Sequence, residues 1–210
     1  MGDVPALSSV EIVNLDASLA PELEAIELLC FPTANPADLL SESDIRAYAE
    51  VFPEGYFVAM VDGVAVGQGA GIYLDFDFDQ PQHTLADVSG DHQCGNHKPD
   101  GDWYYGTDIT VHPDFRGQGI GKMLYDKRKA LVVRDGKRGI IAGASLPGFY
   151  GHKSTMLIDD YVGKVVAGEL FDPTLSFQLA NGFEVRGLLE NYVDDEADDG
   201  WAALIVWENR

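Results

Sequence analysis

The chain has 210 residues, 46% of them apolar, which suffices for one well-buried domain and is too short for two generous ones. It sets 35 Asp plus Glu against 14 Lys plus Arg, and the formal net charge of −21 argues against nucleic acid and anionic membranes as partners and for cationic ones. No apolar run is long enough to span a bilayer, residues 1–14 carry Asp3 and Glu11 where a leader has a basic segment, and Cys30 and Cys94 stand alone, so a soluble cytoplasmic protein without a disulfide is expected.

An Asp-rich surface also serves solubility, including in a high-salt cytoplasm, so the charge by itself names no substrate. Alternation over 10–15 predicts a strand, and Leu23, Ile26 and Cys30 at helical spacing behind Pro21 predict a helix over 21–31. Ser41 ahead of Asp44 reads as a capping box for a second helix with Ile45, Tyr48 and Phe52, ended by Pro53-Glu54-Gly55. Runs 56–61 and 64–76 flank Asp62-Gly63, which tolerates the positive φ of a tight turn, and predict a hairpin whose second strand is long and Gly-rich.

Asp75, Asp77 and Asp79 alternate with Phe76 and Phe78, so on a strand they share one face, either a solvated one or a stripe for a cation. Residues 77–102 lack periodicity and read as a long loop. Its His83, His92, Cys94 and His97 do not have zinc-site spacing and read as loop histidines serving solubility, so no metal is expected. A strand over 103–111, a helix over 119–134 and a strand over 138–144 make a βαβ unit. Helical runs 158–170 and 173–180 follow, then strands 183–189 and 201–208 around an acidic loop over 194–200.

The turn of the βαβ unit is Arg116-Gly117-Gln118-Gly119-Ile120-Gly121, with Lys122 next. Glycines let the backbone curl around an oxyanion, and the helix beyond offers unpaired N–H groups and a positive dipole end, so the segment fits a pyrophosphate. Arg116 and Lys122 add positive charge in an acidic chain; the alternative is a turn that is Gly-rich for packing alone. Met123 denies the turn the hydroxyl that a P-loop needs for magnesium, and Gly117-x-Gly119-x-Gly121 departs from the dinucleotide fingerprint.

The spacing Arg116-x-x-Gly119-x-Gly121, with His112-Pro113 upstream, resembles the coenzyme A loop of the GNAT (Gcn5-related) N-acetyltransferase family. The resemblance implies an α/β (α+β) acyl-CoA N-acyltransferase fold over 1–210 as one domain: a mixed six- to seven-stranded sheet flanked by helices, with a splayed central strand pair. It implies acetyl-CoA as co-substrate, with Arg116, Gly117, Gln118, Gly119, Ile120, Gly121 and Lys122 at the pyrophosphate. The backbones of Ile109, Thr110 and Val111 would hold the pantetheine arm, and an N–H near Val111 would face the developing oxyanion, a donor worth ~3 kcal/mol of barrier. Segments such as 166–187 and Leu146-Pro147-Gly148 are similar to GNAT modules joined to carbon-nitrogen hydrolases, a subgroup that fixes no acceptor.

The family's usual acid and base do not carry over: Gln178 stands where many members have Tyr, and Tyr105 where many have Glu. Asp108 is the nearest carboxylate, and it either takes the amine proton or serves as a hydrogen-bond partner for a loop. Tyr150 and Tyr161 are the candidate acids for the thiolate, or packing residues. Direct attack by a primary amine of a small molecule is the expected route, because neither cysteine has a nucleophile's context. A non-catalytic acyl-CoA sensor and a protein or peptide N-acetyltransferase are the alternatives. Trp201, Leu204, Val206 and Trp207 make the last strand apolar enough for a homodimer.

Overall fold

Asp62 and Gly63 take φ of 50° and 80°, the left-handed values a two-residue hairpin turn demands, and join β2 (Phe57–Val61) to β3 (Val64–Leu74). A computed structural model describes residues 9–210, so the eight residues that carry part of the reading of 1–14 lie outside the described range. The other strands are β1 (Val10–Asn14), β4 (Trp103–Val111), β5 (Gly139–Ser145), β6 (Glu184–Leu189) and β7 (Ala202–Glu208). They form one seven-stranded sheet in the order β1-β2-β3-β4-β5-β7-β6, with β4 and β5 parallel and the other neighbours antiparallel.

The helices are α1 (Ala20–Cys30), α2 (Glu42–Val51), α3 (Leu85–Ser89), α4 (Ile120–Arg134), α5 (Ile158–Val166) and α6 (Leu175–Ala180). Ser41 and Asp44 form the expected capping box on α2. The helical run expected to reach residue 170 stops at Val166, because Gly168 turns the chain with φ of 73°.

The Gly-rich strand has a steric purpose. A Cβ at Gly71 would lie 2.2 Å from the Tyr104 ring, and one at Gly69 would lie 2.8 Å from Arg128 Nη2. The missing side chains make room for a fully buried Arg128, whose Nη2 donates to the carbonyls of Ala70 and Asp108 and whose guanidinium rests between the Tyr104 and Tyr125 rings, at 5.7 and 5.6 Å.

Three expectations need correction. β3 ends at Leu74, so the Asp75, Asp77 and Asp79 stripe does not form. Phe76 and Phe78 turn together, 4.9 Å apart, Asp75 faces Lys98 at 3.6 Å, and Asp77 caps the N–H of Asp79 at 2.9 Å. The segment 77–102 is not unstructured: Thr84 and Asp87 form a capping box on α3, Cys94 is buried, and His97 stacks on Phe52 while its Nδ1 accepts from the Tyr73 N–H. Its histidines are therefore packing and hydrogen-bonding groups rather than solubilising ones. Finally, β6 lies outside β7, so Leu204 and Val206 are spent on the chain's own core.

Candidate active site

β4 and β5 pair only from Trp103↔Gly139 to Gly106↔Ala142. Immediately beyond, Thr107 is the extra residue of a bulge against β3, where Ala70 pairs with Asp108 but Gly71 pairs with Gly106. The bulge turns the end of β4 away from β5, and each strand then presents an unpaired edge to the gap. The Thr107 hydroxyl shares a 2.9 Å hydrogen bond with Tyr48, which pins the bulge to α2. A cavity of about 870 Å³ fills the gap, lined by Asp108, Ile109, Thr110 and Val111 on one side and Gly143 and Ser145 on the other.

One end of the cavity is the Gly-rich turn. Gly117 and Gly119 adopt φ of 76° and 82°, Gly119 caps α4 without any side-chain hydrogen bond, and the first N–H groups of α4 are left free for a ligand. Arg116 Nε donates to the Val111 carbonyl at 2.9 Å, which holds the guanidinium across the strand end, and Lys122 is paired with Asp126 at 2.6 Å on the surface. Arg116, Gly117, Gly119, Ile120, Gly121 and Lys122 line the cavity; Gln118 is exposed and does not.

At the other end, sequence reasoning missed a partner. Glu27, on α1, is buried beside Asp108 and lines the same cavity. Tyr56 donates to Gln68 at 2.6 Å, and Gln68 Nε2 donates to Glu27 at 3.0 Å. Burial is the first cause raising both carboxyls; the Asp108 charge adds to the rise at Glu27, whereas Glu27 acts on Asp108 in the opposite sense. Arg128 opposes the rise at Asp108. A carboxylate among the apolar positions of α1 was the signal available in the sequence.

The hydroxyls sort differently from the sequence reading. Tyr150 is exposed on the cavity rim. Tyr161 is not brought to the cavity lining: its hydroxyl donates to buried Asp172 at 2.9 Å, and that carboxylate also accepts from the N–H groups of Gly148, Thr174 and Leu175. The structure instead brings in Tyr125 of α4, buried, lining the cavity, and bonded to Gln178 Nε2 at 3.2 Å. Tyr105 is taken up by His83 at 2.7 Å and Tyr192 at 3.1 Å.

Asp108 Oδ2, Thr110 Oγ1, Arg128 Nε and Gln178 Oε1 are buried without partners, and all four residues line this cavity. Buried polar atoms are seldom left so, and an amide- and thioester-bearing arm supplies the missing partners. With the open strand edge and the helix N-terminus, the residues fit an acyl-CoA.

Residues 20–147 match the acetyltransferase (GNAT) family. The chain is 32% identical over 202 residues to the uncharacterized N-acetyltransferase YkwB of Bacillus subtilis (strain 168), covering 96% of this chain and 89% of that one. It is 36% identical over 199 residues to the probable hydrolase YhcX of the same organism, covering 94% of this chain but only 38% of that protein's length. Among solved structures, the GphF GNAT-like decarboxylase in complex with isobutyryl-CoA has a similar fold, with TM-score 0.79 and 21% identity over 95% of this chain and all (100%) of that one. The chain belongs to the acetyltransferase (GNAT) family.

Proposed function

We propose that the protein is a cytoplasmic acetyl-CoA-dependent N-acetyltransferase that transfers the acetyl group directly to a primary amine of a small molecule. The observation that carries this reading is the Glu27 and Asp108 pair at the point where β4 and β5 part. An attacking amine must shed a proton as its nitrogen bonds to the thioester carbon, and Asp108 Oδ2, buried and unpartnered, is an acceptor open to it. Burial and the neighbouring Asp108 both raise the Glu27 carboxyl, whereas Glu27 lowers that of Asp108 and so favours the ionised base.

The unpaired N–H groups at the end of β4 suit the oxygen that becomes negative, and the Tyr125 and Tyr150 hydroxyls, both in the cavity lining, are the proton sources assigned to the departing thiolate. Calorimetric titration with acetyl-CoA, followed by thiol release against a panel of amines, tests the reading. Saturable binding with amine-dependent release supports it; binding without release from any amine replaces it with a non-catalytic acyl-CoA module.

A further inference from the structure

His83, Tyr105 and Tyr192 are bonded in series. His83 Nε2 lies 2.7 Å from the Tyr105 hydroxyl, and Tyr105 shares a 3.1 Å hydrogen bond with the Tyr192 hydroxyl. His83 Nδ1 is 2.6 Å from the Pro81 carbonyl, which can only accept, so Nδ1 carries a hydrogen and Nε2 is the acceptor of the neutral ring. Tyr105 is fully buried, whereas His83, in the segment between β3 and α3, is half-buried and still meets solvent.

The far end of the series is at the cavity. A Cβ at Gly143 would lie 2.4 Å from Tyr192 Cζ, the carbon that carries the hydroxyl, so the phenol end of this side chain lies against Gly143. Gly143 is the first residue of β5 beyond Ala142, the last to pair with β4, and both Gly143 and Tyr192 line the cavity together with Asp108. Buried Tyr and His are ordinarily packing groups bonded to whatever is near. Here every bond in the series joins groups that can both gain and lose a proton, with the parting of β4 and β5 at one end and water at the other.

Acetyl transfer needs such a route. A primary ammonium loses two protons on becoming an amide N–H, and the departing thiolate takes one, so one proton must leave the site in each turnover. Behind Asp108 lie Glu27, Gln68 and Tyr56, all buried, and the Gln68 amide is no proton carrier.

We propose that Tyr192, Tyr105 and His83 form a proton relay that carries this proton from the acceptor nitrogen to solvent. The proposal rests on the acetyl-transfer reading above for the source of the proton. The N–H bond of the acceptor breaks with its electron pair left on nitrogen, the proton bonds to the Tyr192 oxygen, the Tyr192 proton passes to Tyr105, and the Tyr105 proton passes to His83 Nε2. Both hydroxyls end as they began, and the imidazolium gives its extra proton to water. Each hydroxyl hydrogen rotates, so the series points toward His83 before the transfer and toward Tyr192 after it. Burial holds His83 below its ordinary value, against the opposing Pro81 carbonyl and Asp87, its charged neighbour, and the ring otherwise packs on Phe76, Tyr105 and Tyr192. It is therefore unprotonated at neutral pH and readily discharges a proton it receives.

Tyr105→Phe removes only the middle oxygen. Its kcat for amine-dependent thiol release should fall about tenfold or more, with acetyl-CoA affinity retained. His83→Ala should lose a similar factor, and added imidazole should restore its turnover in proportion to the unprotonated fraction. Imidazole should do nothing for Tyr105→Phe, whose series is cut further in; a residue that serves packing alone produces no such difference. Nitrogen NMR of the native protein, with His83→Gln to assign the ring, should find the neutral tautomer with its hydrogen on Nδ1. The relay is overturned by a hydrogen on Nε2 instead, by native kcat in Tyr105→Phe, by a His83→Ala loss that imidazole does not reverse, or by equal rescue of both variants. No thiol release from the native protein with any amine removes the acetyl-transfer reading and the relay together, whereas native release with any of those four results removes the relay alone.

Discussion

Glu27 on α1 and Asp108 on β4 lie side by side where β4 and β5 part, both buried, with Gln68 donating to Glu27 and the Arg128 guanidinium bonded to the Asp108 carbonyl. A carboxylate works as a base only when ionised, and burial raises this one, so the active fraction grows as pH rises through the neutral range. Acetyl transfer at saturating acetyl-CoA is expected to climb over that range. Asp108→Asn should lower kcat by about 10²-fold or more and abolish that limb, with acetyl-CoA affinity retained. An unchanged pH profile in the variant would assign the limb to the acceptor amine.

Arg116 should act on binding rather than on chemistry. Its guanidinium is held by Val111 at the mouth of the Gly-rich turn, three residues beyond Asp108 on the same strand. Loss of one charge-assisted contact costs about 1.5–3 kcal/mol, so Arg116→Ala should raise KM for acetyl-CoA by about ten- to a hundredfold and leave kcat near native. Lys122→Ala should have a smaller effect, because Asp126 already engages that ammonium. Steady-state kinetics on both variants would expose a drop in kcat as evidence for a different role.

Gly71→Ala should be among the more damaging single-methyl changes in the sheet. The added Cβ would overlap the Tyr104 ring, which is buried and anchored through a 2.7 Å hydrogen bond from its hydroxyl to the Gly55 carbonyl. Overpacking of this kind costs about 1–3 kcal/mol, visible as a lowered thermal midpoint. Gly63→Ala meets no neighbour and should cost less, although its φ of 80° still favours glycine. Equal losses in the two variants would mean that Tyr104 can move aside.

Asp198 should make stability pH-dependent. Burial is the main cause pushing its carboxyl up to about 7, while its oxygens accept from the N–H groups of Leu146 and Gly200 at 3.0 and 3.2 Å. The unfolded value is about 3.9, so the folded state binds this proton more tightly. The resulting stabilisation is complete below about pH 4 and is lost as pH rises toward 7. Asp198→Asn cannot ionise, and its thermal midpoint should fall less than the native one between pH 4 and 7. Parallel curves for the two proteins would show that Asp198 ionises normally.

Local signals carried most of the elements. Ser41 and Asp44, Asp62-Gly63 and the period of β4, α4 and β5 each act over a few residues, so their spacing is visible in one dimension. The readings that failed depended on what a segment packs against. Asp75, Asp77 and Asp79 alternate as a strand does, but Phe76 and Phe78 find each other and end it. His97 looks like a loop residue until Phe52 and the Tyr73 N–H are brought to it from 45 and 24 residues away.

The site divides in the same way. Arg116 through Lys122 is one continuous turn whose chemistry comes from its own glycines, charges and helix end, so the sequence by itself determined this candidate anion site and, with it, the family resemblance. The groups gathered where β4 and β5 part come from α1, β3, β4, α4 and the loop before β7, and no spacing rule links Glu27 to Asp108 or His83 to Tyr192. Only the tertiary structure decided that Tyr161 is spent on Asp172, that Tyr125 faces the cleft, and that the Tyr192 phenol lies against Gly143. The reason is physical: a backbone turn is set by torsions its own residues control, whereas a buried carboxylate pair exists only once packing has brought distant side chains into one low-dielectric space.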